Sequence, residues 1–319
     1  MKETKEFLSR SRRWLDKNAH DIETCFICGG SLTEGLAAPF RRCLNCGHEI
    51  SSGSGMSSDF LVNDRMDEKS VRKAGLLDNF KARVLRAHTG DGRGGTLLDI
   101  GAGNGKFLLH NGLRYEKAIG LEVTPAAIDF SRTKLKLEIV TSIDEVSGPV
   151  TVATAWHSLE HIPPDQLDNM LNSLQKLCKM GARFIISVPN GESLHYSLFK
   201  NNWALLDAQY HYHNFTPRSL DLLLEKYDFQ RVGTVYSTPY NIFSAIQSIL
   251  NKFTGRHNYL YLRLKRGTRS NSAGSWRPIL KNLISLPFAV FLGGFLSSIE
   301  FCLPHSNSSC LTFIYEKKY

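Results

Sequence analysis

The 319-residue sequence has no apolar stretch near its beginning, no internal repeat and no dense basic patch interleaved with aromatic residues. Because residues 1–17 are charged and polar, no secretory signal is visible, and we expect a cytoplasmic location. The absence of repeats excludes a repeat array. The scattered basic residues argue against a dedicated nucleic-acid surface.

Cysteine is infrequent, with seven residues, and the odd number argues against a framework of disulfides. Two CxxC pairs, each followed by a glycine, contain four of them: Cys25, Cys28, Cys43 and Cys46. This spacing predicts a structural Zn²⁺ site, because four thiolates surround zinc tetrahedrally and leave no open position. The segment has little core of its own, so we expect the metal to drive its folding in a reducing compartment. Nucleic acid, the substrate and the rest of the chain are all open as its contact partner.

The chain carries a net charge of +9 at pH 7 and has a sequence pI near 9.2. This surplus favours an anionic partner (nucleic acid, an anionic membrane surface or a phosphorylated substrate), although solubility alone explains it equally well. Hydrophobic residues make up 42% of the chain and charged residues 22%, which is ordinary for a soluble protein with a sizeable core.

Composition and periodicity divide the chain into three parts. Residues 1–50 hold a basic helix over residues 3–18 and the cysteine pairs, residues 51–65 form a linker rich in Gly and Ser, and residues 66–319 form one large domain. From residue 96 onward, apolar runs alternate with helical patterns, which predicts an α/β fold with a parallel, doubly wound sheet. The predicted strands are TLLDI (96–100), AIGLEV (118–123), KLEIV (136–140), VTVATA (150–155), RFIISVP (183–189), FQRVGTVYS (229–237) and SCLTFIYEKK (309–318).

A glycine-rich turn follows the first of these strands in the sequence LLDIGAGNGKFLL. Gly101, Gly103 and Gly105 recur at alternate positions, where they let the backbone turn sharply and approach a ligand closely. Asp99 ends the strand, and its carboxylate can face a cationic or hydrogen-bonding ligand group. A dinucleotide-binding loop would read GxGxxG, but Lys106 replaces its third glycine, so that class is excluded. The turn alone leaves open a tight connection without any ligand.

The pattern D-x-G-x-G-x-G resembles the first motif of class I S-adenosylmethionine-dependent methyltransferases, and Glu122 ends the next strand in GLEV. An acid at that place accepts hydrogen bonds from the ribose hydroxyls of an adenosine ligand. The resemblance implies a Rossmann-like sheet of seven strands whose last strand is antiparallel. The cofactor contacts that it implies are Asp99, Gly101, Ala102, Gly103, Gly105, Glu122, Val123, Ser142, Ala155 and Trp156. Ser142 departs from the acid that many members have near that position.

The segment AWHSLEHIPP follows the fourth strand, at the edge where open α/β sheets bind ligands. In a helical turn His157, Glu160 and His161 stand at positions i, i+3 and i+4, on one face. The segment resembles the LEH motif of many small-molecule methyltransferases of this class. An ExxEH version binds a divalent metal in ubiquinone-pathway O-methyltransferases and small-RNA 2′-O-methyltransferases, and His157 replaces its first Glu. His211 and His213 follow in QYHYHNFTP, where the family often has a histidine-rich segment.

Three roles are open for these side chains. His157, Glu160 and His161, together with His211 or His213, form a candidate site for a second divalent metal. Alternatively, one histidine is a general base that deprotonates a substrate hydroxyl, because the pKa of histidine lies near neutrality. The third role is structural, with polar side chains that hold the loop.

Residues 239–306 interrupt the alternation of strands and helices and contain a basic run and an apolar run. The apolar run, Leu283 to Ile299, is at the short edge for a membrane-spanning helix. The expected return of the last strand to the sheet also argues against a single crossing. Two interpretations stay open, namely a buried helix or cap over the active site and peripheral contact with an anionic membrane surface.

These features predict methyl transfer from S-adenosylmethionine to an oxygen of a small-molecule, glycan or lipid-linked acceptor. We expect the enzyme in the cytoplasm or at the inner face of the membrane. One alternative is a methyltransferase of ribosomal or other RNA, since a zinc ribbon precedes this fold in ribosomal-RNA enzymes. The other is a non-catalytic scaffold that binds the cofactor and uses the ribbon and the insertion for partners.

Overall fold

The computed structural model describes residues 23–51, 66–90, 94–266, 276–304 and 307–319. The helix predicted over residues 3–18 lies outside these ranges, as does the predicted linker apart from Ser51. Two β-sheets, one small and one large, organise the described residues.

The cysteine-rich segment folds into three short strands that pair antiparallel: β1 (Leu32–Glu34), β2 (Phe40–Cys43) and β3 (Glu49–Ser51). The first CxxC pair precedes β1, and the second occupies the turn between β2 and β3. The hairpin therefore brings the two pairs to the same end of the small sheet.

The large sheet contains seven strands. In chain order they are β4 (Thr96–Ile100), β5 (Lys117–Leu121), β6 (Glu138–Val140), β7 (Val150–Trp156), β8 (Cys178–Pro189), β10 (Phe229–Tyr236) and β11 (Cys310–Lys317), with β9 (His213–Asn214) in the small sheet. Their order across the sheet is β6-β5-β4-β7-β8-β11-β10. Strands β4 to β8 run parallel, and β11 runs antiparallel to both of its neighbours. The predicted seven-stranded α/β sheet with an antiparallel last strand is confirmed.

The helices connect the strands, and three of them begin with a proline. In chain order they are α1 (Glu68–Arg72), α2 (Leu76–Thr89), α3 (Lys106–Asn111), α4 (Pro125–Thr133), α5 (Pro164–Leu177), α6 (Leu194–Phe199), α7 (Pro217–Glu225), α8 (Thr238–Thr254), α9 (Tyr259–Arg266) and α10 (Trp276–Cys302). Proline suits the first helical position because its fixed φ fits the helix and its missing N–H is not needed there. Helices α1 and α2 are separate rather than continuous, since Gly75 before α2 is extended.

The core lies around the central strands, which are buried on both faces. All residues of β4 after Thr96 are buried, as its continuous apolar run predicts for a parallel strand covered by helices. The same cluster of buried apolar side chains continues into the cysteine-rich segment through Ile50 and Phe215. The small sheet and the large sheet therefore share one core.

The small sheet is completed by β9, which comes from the large domain. Strand β3 pairs antiparallel with β9, with Glu49 opposite Asn214. Beside this pairing, Oγ1 of Thr216 donates a hydrogen bond to the Cys46 carbonyl at 2.7 Å. Sequence reasoning left the contact partner of the cysteine-rich segment open, and within the described residues that segment docks on the chain's own large domain.

Glu49 is the buried charge at this junction. Its Oε2 accepts hydrogen bonds from the Tyr196 hydroxyl at 2.5 Å and from Nδ2 of Asn214 at 2.9 Å. Its Oε1 accepts from the Leu36 amide at 3.1 Å and lies 3.4 Å from Nη1 of Arg42. Because a buried carboxylate is costly without partners, these bonds fix how the two sheets meet.

We expect Glu49→Ala to lower the free energy of unfolding by about 3 kcal/mol, because Tyr196 and Asn214 stay buried without their acceptor. Urea denaturation of the full chain, followed by circular dichroism, measures this. Glu34→Ala on exposed β1 is the matched control and should change the stability by less than about 0.5 kcal/mol. Equal stabilities of the two variants would contradict a role of Glu49 in holding the junction.

Candidate functional site

Most of the predicted site residues lie at one edge of the large sheet. Asp99, Glu122, Ser142 and Trp156 lie at or directly after the carboxyl ends of β4, β5, β6 and β7. These strands are parallel, so their carboxyl ends meet, and open α/β sheets bind ligands outside such ends. This edge is the candidate active site.

Three glycines in the left-handed region form the turn between β4 and α3. The φ angle is +74° at Gly101, +55° at Gly103 and +75° at Gly105, a region that favours glycine because a Cβ would crowd the backbone. Packing imposes the same choice, since a Cβ on Gly105 would lie 2.5 Å from Cδ1 of Leu137. Both conformation and close packing therefore require the glycine spacing.

Asp99 is a buried carboxyl at the end of β4. Its Oδ1 accepts a hydrogen bond from Oγ1 of Thr154 at 2.6 Å. Burial raises the pKa of Asp99 to about 7, although the Thr154 hydrogen bond and the positive charge of Lys81 oppose the rise. A carboxyl desolvated in this way gains most from a cationic or hydrogen-bond-donating ligand nearby.

Glu122 ties the glycine turn to the end of β5. Its Oε2 accepts a hydrogen bond from the Gly103 amide at 2.7 Å, and its Oε1 accepts from the amides of Val123 and Thr124 at 2.9 and 2.8 Å. The side chain is buried, so these amides hold it in place. A ribose diol at this position would share a carboxylate that is already oriented toward the turn.

The remaining predicted cofactor residues have different surroundings. Trp156 packs against Phe107 with ring centroids 5.4 Å apart, and Nζ of Lys81 lies 5.3 Å from the centroid of its ring. The Ala155 side chain lies in the core of the sheet, and Ala102 is buried beside the turn. Ser142 caps the 3₁₀ turn after β6, where its Oγ accepts from the Asp144 amide at 3.2 Å.

Ser158 fastens the HSLEH segment to the glycine turn. Its Oγ donates a hydrogen bond to the Ile100 carbonyl at 2.7 Å. A Cβ on Gly101 would lie 2.4 Å from Cβ of Ser158, so only glycine permits this approach. The two motifs that sequence reasoning identified separately are therefore neighbours.

His157 and Glu160 meet at the edge, but the helical turn predicted for them is wrong in part. A 3₁₀ turn covers only Leu159–His161, and His157 before it has a left-handed φ of +56°. The reason is that the His157 amide donates to the Ser187 carbonyl at 2.9 Å, so the pairing with β8 continues one residue past β7. Nδ1 of His157 nevertheless lies 3.4 Å from Oε1 of Glu160.

Cys310, to which sequence reasoning gave no role, lies on the other side of His157. It begins β11 opposite Pro189, at the carboxyl end of β8, and its Sγ is 3.5 Å from Nε2 of His157. The Tyr240 ring packs on the same imidazole with centroids 4.4 Å apart. Burial disfavours the charged imidazolium and by itself lowers the pKa of His157. Cys310 and Glu160 together have the larger effect and raise this pKa to about 9. Cys310, His157 and Glu160 thus form a row of thiol, imidazole and carboxyl groups.

Glu160, His161 and His211 offer ligand atoms that all lie within 4.8 Å of one another. Nδ1 of His161 donates to the Tyr210 carbonyl at 3.0 Å, which fixes the orientation of the ring beside Glu160. Burial lowers the pKa of His211 well below its ordinary value, so this imidazole is neutral. Neither carboxylate oxygen of Glu160 accepts a hydrogen bond within the described residues. Two imidazoles and such a carboxylate, with ligand atoms this close together, fit a divalent cation.

His213 points away from this trio and toward the cysteine-rich segment. Its Nε2 donates to the Ile162 carbonyl at 2.9 Å, and its Nδ1 lies 3.2 Å from Nε2 of His48. Its ring also packs between Phe26 and Phe215. The structure therefore places His213 at the junction between the two sheets.

The four paired cysteines converge at the end of the small sheet. All four sulfur atoms lie within 4.8 Å of one another, with Cys25 and Cys46 at 3.7 Å and Cys28 and Cys43 at 3.4 Å. A tetrahedral zinc with Zn–S bonds of about 2.3 Å separates its sulfurs by about 3.8 Å. The spacing of the thiols therefore fits a zinc ion.

A cluster of buried polar side chains also lies near this edge, at the start of β11, and sequence reasoning missed it. Oγ of Ser309 lies 2.6 Å from Nδ1 of His195, and Nε2 of that ring is 3.8 Å from Oε2 of Glu300. Burial raises the pKa of Glu300 to about 7 and lowers that of His195 to about 4. The residues come from distant segments, and the available signal was Glu300, a lone acid in an apolar run.

Sequence comparison matches this region to a known family. A family described as a methyltransferase domain matches residues 73–233, just over half of the chain. The match includes the glycine turn, Glu122 and the HSLEH segment. No curated protein matches the chain by sequence.

Two solved structures share the fold at low sequence identity. A putative sarcosine dimethylglycine methyltransferase from Galdieria sulphuraria is 12% identical with a TM-score of 0.51, and the alignment covers 82% of this chain and 96% of that one. The cyclopropane synthase MmaA2 from Mycobacterium tuberculosis is 12% identical with a TM-score of 0.51, and the alignment covers 82% and 94%. The chain belongs to the methyltransferase-domain family and is an S-adenosylmethionine-dependent methyltransferase.

Proposed function

We propose that this enzyme methylates an oxygen of a small-molecule, glycan or lipid-linked acceptor. The observation that carries the proposal is the row of Cys310, His157 and Glu160, which Ser158 holds against Gly101 of the glycine turn. An imidazole so close to the donor side is suited to accept the proton of a hydroxyl group. An amine with a free lone pair needs this help less, so the arrangement favours oxygen.

The donor lies on the glycine turn in this proposal. Glu122 accepts hydrogen bonds from the ribose hydroxyls, Asp99 faces the polar part of the cofactor, and Ser142 borders the adenine. Ala155 and Trp156 border the methionine part. The sulfonium already activates the methyl group, so the main contribution of the protein is to align the acceptor oxygen with that group.

The acceptor side is assigned to His157. The oxygen attacks the methyl carbon, the C–S bond breaks, S-adenosylhomocysteine leaves, and the hydroxyl proton passes to Nε2 of His157. Glu160, whose Oε1 lies 3.4 Å from Nδ1 of the ring, stabilises the positive charge that forms. Because the pKa of His157 is raised to about 9, the neutral ring that accepts the proton becomes more populated as the pH rises toward that value, whereas burial lowers the pKa values of His211 and His213.

A second divalent metal is the other candidate role for this edge. Its support is the convergence of Glu160, His161 and His211, with the unbonded carboxylate oxygens of Glu160. The sequence-based set of His157, Glu160 and His161 changes in one member, because the group whose ligand atoms all lie within 4.8 Å of one another contains His211 in place of His157. A bound metal would orient an acceptor hydroxyl and lower its pKa.

A structural Zn²⁺ at the four paired cysteines completes the proposal. Its support is the mutual spacing of the sulfurs, together with amide hydrogen bonds to Sγ of Cys43 from Asn45 at 3.4 Å and Cys46 at 3.5 Å. The site has four thiol ligands and shares no residue with the proposed donor and acceptor sites. The ion would stabilise the junction and take no part in methyl transfer.

We expect Glu122→Ala to weaken binding of S-adenosylhomocysteine at least tenfold, because the variant loses the acceptor for the ribose hydroxyls and the bond to Gly103. Isothermal titration calorimetry measures the dissociation constant. Glu116→Ala, at the exposed start of the same strand, is the matched control and should bind normally. Absence of binding by the folded wild-type protein would contradict the donor site.

We expect the purified protein to contain one zinc ion per chain and Cys46→Ser to lose it, with a lower melting temperature. Elemental analysis and native mass spectrometry measure the metal content. The control is Cys302→Ser, which removes an exposed cysteine and should change neither quantity. A zinc-free wild-type protein whose melting temperature a chelator leaves unchanged would refute the site.

We expect methyl-labelled cofactor to label lipid or glycan fractions, and His157→Ala to lower kcat about 100-fold or more while S-adenosylhomocysteine binding persists. Scintillation counting and mass spectrometry of the products identify the acceptor. His88→Ala, at the far end of α2, is the control. Label in RNA would contradict the proposed acceptor and identify the protein as an RNA methyltransferase. Absence of label from every fraction despite cofactor binding would favour the scaffold alternative.

The metal is tested in the same assay. If the kcat of the wild type depends on added Mg²⁺ or Mn²⁺ and that of His211→Ala does not, Glu160, His161 and His211 bind a catalytic metal. Unchanged activity after exhaustive chelation at constant zinc content would exclude that role.

A further inference from the structure

The long helix α10 carries an apolar stripe that faces away from the rest of the protein. Its side chains recur every three or four residues and are at least one third exposed: Leu280, Ile284, Phe288, Phe291, Phe295 and Ile299. The stripe is about 28 Å long, since an α-helix rises about 1.5 Å per residue. A continuous apolar surface of this kind on a soluble domain marks a contact site.

The opposite side of α10 packs against the protein from one end of the helix to the other. Asn282, Ala289, Gly293 and Glu300 are buried along this side. A Cβ on Gly293 would lie 2.7 Å from Cγ1 of Ile246, so α10 and α8 approach very closely. The helix therefore lies flat on α8, and its apolar stripe runs along the surface of the protein.

This packing decides between two orientations toward a bilayer. Residues Ile279–Glu300 are long and apolar enough to cross a membrane by length and composition alone. A crossing would pull Ala289 and Glu300 away from the protein, and β11 returns to the large sheet directly after the helix. The contacts therefore favour a helix that lies in the plane of a surface.

The charge beside the stripe has one sign. Residues 239–299 contain eight Lys or Arg residues and no Asp or Glu, so this segment supplies nearly all of the net charge of +9. Exposed cations among the described residues are Lys252, Arg256, Arg263 and Lys281. Phe253, next to Lys252, touches Phe288 with ring centroids 5.7 Å apart, so the apolar stripe and the cations are continuous.

We propose that the apolar stripe of α10 and the cations beside it dock this enzyme on the surface of an anionic lipid bilayer. The Leu, Ile and Phe side chains enter the boundary between headgroups and acyl chains, and Lys and Arg attract the anionic headgroups. A second copy of the chain would bring the same positive charge against this face, which disfavours that occupant. The proposal does not depend on which acceptor is methylated.

Co-sedimentation of the full-length protein with vesicles tests the proposal. Vesicles of phosphatidylcholine and phosphatidylglycerol should bind the protein at least tenfold more tightly than vesicles of phosphatidylcholine alone, and salt should weaken this preference. The double substitution of Phe291→Glu and Phe295→Glu should reduce binding at least tenfold. Leu113→Glu, which changes a 97% exposed leucine outside this segment, is the matched control. Unchanged melting temperature and S-adenosylhomocysteine binding verify that the variants are folded.

Three results would overturn the proposal. Equal vesicle binding by the Phe291/Phe295 variant and the Leu113 control would show that the stripe is not the contact surface. A wild-type dimer in light scattering that Phe291→Glu dissociates would assign the stripe to a second copy. Retention of bound protein after an alkaline carbonate wash would show a helix that crosses the bilayer.

Discussion

The contact between Ser158 and Gly101 determines how the two halves of the active site meet. A side chain at position 101 would overlap Ser158, and the Ser158 hydroxyl is already bonded to the strand end at Ile100. The HSLEH segment is therefore held against the turn that carries the cofactor motif. The left-handed backbone of His157 then turns its imidazole toward Glu160 and Cys310. The glycine turn and the His157 imidazole are neighbours because residue 101 has no side chain.

Local sequence predicted the parts of the site that one segment supplies. Sequence spacing alone predicted the turn from Asp99 to Gly105, the acid Glu122 and the set of four paired cysteines. The structure brings the members of each set together. The alternation of apolar runs with helical patterns also predicted the parallel, doubly wound sheet, which the structure confirms. The helical turn predicted over residues 157–161 was only partly right, because the pairing with β8 continues to residue 157 and the turn begins only at residue 159.

Residues whose position depends on distant pairing could not be predicted in this way. Cys310 reaches His157 because the last strand enters the sheet antiparallel beside β8, a pairing between residues more than 100 positions apart. His213 lies in a histidine-rich segment that favours a place at the active site, yet its pairing on β9 turns it toward His48. In both cases the contacts of the side chain depend on a strand partner that is distant in the sequence. The local sequence pattern contains no information about that partner.

The pairing of β3 with β9 has a consequence for the assembly of the chain during synthesis. The cysteine-rich segment is made early, but the strand that completes its sheet lies 165 residues later. At about 5–20 residues per second, the ribosome needs roughly 8–30 s to reach it. During that interval β3 has an unpaired edge and Glu49 lacks Tyr196 and Asn214, so an early part of the protein is among the last to reach its final structure.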